Sequence, residues 1–345
     1  MYLGIHNAKK LYKKLYLKLV FKKMKKIKVA FIHKTSNPFM SGKHFDNTEY
    51  NFHVSSLQRN NDIDVSYFHS EDKLDTSVLK DRFDIILLLI NEVDGMPELV
   101  GIDDLDIPTI CGVCDAFGAK KSIELHKKWK IDYYFDFQHE GFFYDRYPKH
   151  FKYKKIMLGL ETRLYNNLKP FNQRIKDKIL LTGAIGNKKF FSKIINDIKR
   201  PKWNAYRFYN LRTKCSDLPY VDYTSTLQHN YVNDRYPKLL EQYASSIAAT
   251  TYTPNIKYWE NAAAGCLTFM EITKKNRGED LGYEDGKTAI FIDKDNYEEK
   301  FGAYLNDLGN DKWERIAKNG KEFTLKNFNN DKAATELVDL MKKLI

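Results

Sequence analysis

Short apolar runs rich in β-branched residues recur along this chain, each followed by a polar stretch compatible with a helix. The first series comprises residues 27–32 (IKVAFI), 64–68, 84–90 and 109–113, with helix-compatible segments such as 47–59 and 76–80 between them. Strands alternating with helices make a parallel, doubly wound sheet. A second series begins at Lys178 with KILLTGAIG and continues through AYRFYNL, SSIAATTY, GCLTFMEI and TAIFI. Helical segments at 188–198, 236–244, 256–264 and 298–308 separate these runs. The pattern predicts an α/β chain of two Rossmann-like, doubly wound domains, over 27–168 and 175–330, facing each other across a cleft. The polar segment NNLKPFNQR at 166–174 is the seam. A closing helix spans 331–345, with Ala334, Leu337, Val338, Met341 and Leu344 along one face. At 345 residues the chain is long enough for each domain to bury its own core.

Charge is distributed unevenly. The first acidic residue is Asp46, and twelve lysines precede it. Removing those twelve from the 57 basic residues leaves 45, equal to the 45 acidic ones, so the body of the chain is neutral and the excess sits in one arm. Residues 1–26 are expected to form a basic amphipathic helix. Leu11, Tyr12, Leu15, Tyr16, Leu19 and Val20 share one half of it, opposite Lys10, Lys13, Lys14 and Lys18. Such a helix suits an anionic membrane surface or packing on its own domain. A nucleic-acid partner using the arm as an electrostatic footprint is the rival, opposed by the neutral body and by an arm without arginine. No apolar run of about 18 residues occurs, which excludes a spanning helix, and lysines interrupt every stretch that resembles a secretory signal. Four cysteines are too few for a disulfide framework, and Cys111 and Cys114, spaced as a CxxC, have no second pair to complete a zinc site. A cytoplasmic protein, peripheral at a membrane through its arm, is the expectation.

The densest chemistry lies in TPNIKYWENAAAGCLTFM, residues 253–270. It reads as a short loop, a helix starting near Asn255, a stop at Gly265 and a strand. Lys257 and Glu260, three apart, share a face in the first turns. Free N–H groups at a helix start favour an anion, and Lys257 adds a full charge beside them. Glu260 offers two oxygens to the vicinal hydroxyls of a sugar, although a solvated i, i+3 ion pair has the same spacing.

The pattern K-x-x-E-x-A-A-x-G before an apolar strand resembles the donor-binding core of two-domain GT-B glycosyltransferases, the group 1 families. KILLTGAIG with Lys188 and FFSKI is similar to the opening of that family's C-terminal domain. His229-Asn230-Tyr231 resembles a His-Pro-Gly-Tyr element, and the stretch from Glu284 to Ile292 with Trp313 to Phe323 resembles the closing segment. The resemblance covers roughly residues 178–330. It implies a nucleotide-sugar donor held by the C-terminal domain, with Gly183, Lys188, Lys193, His229, Asn255, Lys257 and Glu260 as donor-binding residues. It further implies a glycan or lipid-linked acceptor entering from the N-terminal domain, and Lys257 with the helix start stabilising the leaving diphosphate. No cofactor or obligatory metal and no nucleic acid are implied.

Departures matter as much. Phe191 and Lys193 stand where the family has proline and arginine, so no guanidinium is expected there. Tyr252 falls where many retaining relatives place the first acid of Glu-x7-Glu, so the stereochemical outcome stays open. In the N-terminal half Asp115 follows a strand end, where a carboxylate can deprotonate an acceptor hydroxyl or cap a helix. His44 and His139 are further candidates on the acceptor side. The triplets Asp62-Ile63-Asp64, Asp104-Leu105-Asp106 and Asp293-Lys294-Asp295 read as turn acids, not as a metal site. A polyol-phosphate transferase or an epimerase of the same architecture is the alternative enzyme.

Overall fold

The computed structural model describes residues 26–37, 40, 46–113, 119–199, 204–224 and 235–345. The helix expected over 1–26, apart from its last residue, lies outside these, as do His44, Cys114, Asp115 and His229.

Residues 27–155 supply β1 (Ile27–Lys34), β2 (Ile63–Ser70), β3 (Lys73–Asp75), β4 (Ile85–Leu88), β5 (Glu98–Val100), β6 (Thr109–Gly112), β7 (Ile131–Asp136) and β8 (Tyr153–Lys155). Six form one sheet in the order β2-β1-β4-β6-β7-β8, with every pairing parallel, while β3 pairs with β5 apart. β1 and β4 are apolar and buried over consecutive positions because parallel strands are covered on both faces. The second sheet holds β9 (Ile175–Thr182), β10 (Val221–Thr224), β11 (Tyr243–Ala248), β12 (Leu267–Glu271) and β13 (Ile290–Ile292), in the parallel order β10-β9-β11-β12-β13. Counted within each sheet, both begin 2-1-3-4-5. Each therefore reverses its winding between its first and third strands, where open α/β sheets bind ligands.

Side chains alternate across the second sheet. Ile179, Leu181 and Phe269 join one core layer with Phe301, Tyr304 and Trp313, while Leu180 and Met270 face Tyr236, Leu240 and Trp259 on the other side. The α-helices of four or more residues among the described ones are α1 (Ala119–Lys128), α2 (Glu140–Tyr144), α3 (Phe190–Lys199), α4 (Ala205–Phe208), α5 (Asn210–Cys215), α6 (Arg235–Leu240), α7 (Lys257–Ala263), α8 (Tyr297–Leu305), α9 (Asp311–Asn327) and α10 (Asn330–Met341). AYRFYNL, expected as a strand, is instead α4 and the start of α5. The Asn204 side chain accepts the Arg207 N–H at 3.0 Å and starts the helix, which outweighs the strand preference of three aromatic residues. The helix expected over 236–244 stops at Leu240, because Tyr243 and Ala244 are drawn into β11.

The last helix returns to the first lobe: Ala333, Ala334, Leu337, Val338, Leu340 and Met341 join its core, where the helix packs on residues 46–59. The chain therefore crosses between lobes twice, and the crossings touch. Leu160 bridges to Asn329, the Asn330 N–H donates to the Leu160 carbonyl at 3.0 Å, and the Gly159 N–H donates to Asn330 Oδ1 at 3.1 Å. Arg59 straps the pair by donating to Glu161 at 3.0 Å and to Asp331 at 2.7 Å. A Cβ on Gly159 would stand 2.4 Å from the Asn329 backbone nitrogen, where no flexible side chain can yield. Gly159→Ala is expected to cost about 1–3 kcal/mol in urea denaturation. Gly302→Ala, in the open on α8, is expected to gain about 0.5–1 kcal/mol.

Candidate active site

At the winding reversal of the second sheet, Gly183 follows β9 with a φ of +99°, in the left-handed region that favours glycine. A Cβ there would lie 3.1 Å from Arg212 Nη1 and 4.0 Å from Lys257 Cε, so the bare α-carbon lets the loop backbone rest against two cations. On the other side of the reversal, β11 leads through residues 249–256 into α7, all seven of whose residues are buried. Lys257 Nζ lies 3.2 Å from Glu260 Oε2 and 3.7 Å from the centre of the Tyr236 ring. The two side chains are 4% and 0% exposed, which rules out a solvated surface pair. Burial pushes the Lys257 ammonium below its usual pKa, and the Glu260 carboxylate opposes that shift. Asn255 Oδ1 accepts the Lys257 N–H at 3.2 Å, so one amide at the helix start is already capped.

Arg212, on α5, went unseen in the sequence. The guanidinium missing at position 193 enters from this different element, inside the stretch misread as a strand. Arg212 is 2% exposed; it donates from Nε to the Ala249 carbonyl and from Nη1 to the Ala184 carbonyl, both at 3.1 Å, and it lies 4.6 Å from the Tyr209 ring centre. Its Nη2 is buried without a hydrogen-bond partner. The signal that finds it is the Asn204 cap followed by helical spacing.

Glu271, also missed, ends β12 near Arg212. Its carboxyl is pushed up to about 7 by burial, against the pull of Arg212 and Lys275, and Oε2 has no partner. Lys188 is turned to Ser216 and Asp217, and Lys193 stands 4.2 Å from the Tyr206 ring centre on α3; neither joins the Lys257 cluster. Tyr252 packs on Phe208 and under Lys275 Nζ, which is 4.0 Å from its ring centre.

The first lobe faces this site with a cavity of about 120 Å³ at the carboxyl ends of β4, β6 and β7, lined by His53, Leu89, Glu92, Gly112, Asp136 and Gln138 among others. His53 is fully buried, with a pKa pushed down to about 3 by that burial and by His33. Held neutral, it is a hydrogen-bonding group and a weak base. His139 accepts the Phe142 N–H at Nδ1, 3.0 Å away, and so caps α2. Aromatic rings bridge the lobes: Phe137 meets Trp259 edge-on at 5.5 Å and Phe142 meets Phe208 at 6.2 Å. Of the acidic triplets, Asp293 accepts the N–H groups of Asp295 and Asn296, and Asp62 pairs with Lys342. Among the described residues no group of three or more His, Cys, Asp or Glu side chains is arranged to hold a metal, and no helix is long and apolar enough to cross a membrane. Cys111 is buried, its thiol donating to the Gly112 carbonyl at 3.3 Å.

Residues 168–339 match the family described as glycosyl transferase-like. Among solved structures, an α-glucosyltransferase in complex with UDP-glucose and DNA containing an abasic site superposes with a TM-score of 0.59 at 9% identity, covering 92% of this chain and 100% of that one. HepE of Anabaena, in complex with UDP and glucose, gives 0.54 at 10% identity over 92% and 100%. A glycosyltransferase from Rickettsia africae gives 0.53 at 11% over 92% and 98%. Among curated proteins no sequence matches. The fold is GT-B, two doubly wound lobes about a cleft. With its C-terminal half matching the glycosyl transferase-like family, the chain is a glycosyltransferase.

Glu271 generates a pH prediction. Its folded pKa lies above the unfolded value, so its contribution to stability is fully present below the unfolded pKa and is lost as pH rises through about 7. Glu271→Gln is expected to raise stability at pH 8 by up to about 3 kcal/mol relative to wild type, and to change little at pH 4. Thermal denaturation at the two pH values checks this.

Proposed function

We propose that the enzyme transfers a glycosyl group from a uridine-diphosphate sugar to a hydroxyl of a glycan or lipid-linked acceptor, without a resident metal. The observation that carries this reading is the buried cation pair, Arg212 and Lys257, set against the bare α-carbon of Gly183 at the winding reversal of the second sheet. As the bond between the anomeric carbon and the diphosphate breaks, negative charge grows on the leaving oxygen. Two fixed cations in a site of low dielectric stabilise that charge with little reorganisation, the part a divalent ion plays elsewhere. Arg212 has a spare N–H for a phosphate oxygen, and its planar fork suits that geometry better than a lysine. Uridine is chosen because two of the three solved structures named above, the α-glucosyltransferase and HepE, are complexes with UDP-glucose or UDP.

Glu260 holds Lys257 charged and presents its second oxygen to ribose or sugar hydroxyls. Gly183 and Asn255 shape the donor loop, while Lys188 and Lys193 stand apart from it. Asp115, three residues beyond β6, is assigned the deprotonation of the acceptor hydroxyl. The first-lobe cavity opens at Gly112 and Val113, the residues leading to that loop. The lysine-rich arm supports a membrane-borne acceptor over a nucleic acid, since the remaining 300 residues carry no net charge.

The test is a thermal-shift titration with UDP. At a hundred times its dissociation constant a ligand adds about 2.7 kcal/mol of stability. Wild type is expected to show that gain, and Arg212→Lys and the neutral pair Lys257→Met with Glu260→Gln to lose most of it. The increment, not the starting midpoint, is the readout, because breaking a buried ion pair destabilises on its own. Full retention of the UDP increment by both variants sinks the assignment.

A further inference from the structure

Helix α3 has its polarity reversed. Phe190, Phe191, Ile194, Ile195 and Ile198 are 69%, 77%, 41%, 49% and 75% exposed, and none of its ten residues is buried. They are five of the ten large apolar side chains exposed among the described residues. At 100° per residue they fill one continuous arc of the helix. The polar side turns inward: Asp197 accepts from Arg207 Nε and Asn204 Nδ2, Lys193 rests on Tyr206, and Ser192 and Asn196 are half-buried. A helix bound only to its own domain would pack the other way round.

We propose that this face docks on an anionic lipid bilayer. The rim is cationic: Lys189 and Lys199 stand exposed at its two ends, and the nearby acids, Asp197 and Asp217, are already paired with Arg207 and Lys188. That charge disfavours a second copy, whose rim is equally basic. It also disfavours the chain's own N-terminal arm, which carries twelve lysines and no acid before Asp46. A convex, single-helix surface with two phenylalanines at one end and lysines at its border is what an interfacial helix requires: apolar groups enter the acyl boundary and ammonium groups meet phosphates. A ten-residue helix is a weak anchor alone, and stable attachment takes two signals. The amphipathic, lysine-rich sequence of residues 7–28 supplies the second. Phe190 and Phe191 sit at the end of α3 that follows the Gly183 loop, so the bilayer would lie beside the mouth of the donor crevice. This deepens the membrane-borne acceptor reading and rests on it.

The experiment is co-sedimentation of the full chain with phosphatidylcholine vesicles containing phosphatidylglycerol, and with phosphatidylcholine alone. Wild type is expected to bind the anionic vesicles and to be released by salt. Phe191→Ser with Ile198→Ser is expected to bind at least about tenfold more weakly while keeping its melting temperature and its UDP response, both side chains being exposed. Equal binding by the double variant overturns the assignment of α3 and leaves the arm as the anchor. No binding by wild type overturns the membrane reading as a whole, with the UDP titration still reporting on donor binding. A wild-type dimer that the double variant turns into a monomer, with vesicle binding unchanged, assigns the face to a second copy and refutes the lipid.

Discussion

The ion pair between Lys257 and Glu260 is the constraint around which the second lobe is arranged. Two charges withdrawn from water cost several kcal/mol each, and their attraction recovers that only where the geometry is good and further partners are at hand. Here they are three residues apart on a helix with no exposed face, beneath Tyr236 and close to Arg212. Replacing the pair with apolar side chains would offset the desolvation cost, so its presence is an argument about chemistry and not about stability. In the proposed reaction, a cation kept out of water beside a glycine loop would meet the charge that grows on the leaving diphosphate. Arg212 makes the same argument independently, because three of its nitrogens are buried and one has no partner.

Much of the fold could be read from the residues because parallel strands leave strong local marks. IKVAFI and GCLTFM are apolar at nearly every position, since both faces of those strands are covered. What failed was where local preference and local capping disagree. In AYRFYNL three aromatic residues suggest a strand, but Asn204 in front of them closes a helical turn, and the turn wins. That one misreading concealed Arg212; the absence of a guanidinium was expected only at position 193, where lysine stands in for the family's arginine. The strands β7 and β8 were also passed over: IDYYFD carries acids at both ends of a short run, and YKK is too brief to show a period. The order of strands in each sheet is carried by long-range packing and has no local signature at all.

The site itself was half legible. Lys257, Glu260 and Gly183 share one crevice, and their spacing in the sequence pointed to it. Lys188 and Lys193 belong to the same motif yet stand elsewhere. Lys188 is held by Asp217, and Lys193 lies on a helix whose register turns it toward Tyr206. A linear motif fixes which residues are near in sequence, while the direction of a side chain is decided by the helix that carries it. The reversed polarity of α3 shows this in its strongest form. Its apolar spacing reads as an ordinary core helix, and only the burial of its polar side shows which way it faces.

The two chain crossings tie these parts into one device. Because Gly159 rests on the backbone of Asn329, and α10 belongs to the core of the first lobe, neither crossing can move without the other. Arg59 braces that contact through Glu161 and Asp331. Ring contacts extend that junction: Phe137 of the first lobe meets Trp259 edge-on, and Trp259 stacks at 5.6 Å on Phe328, the neighbour of Asn329, pairs worth about 0.5–1.5 kcal/mol each beyond their buried area. Lys257 and Arg212 are almost without solvent exposure, so a ligand reaches them only when the residues that cover them move.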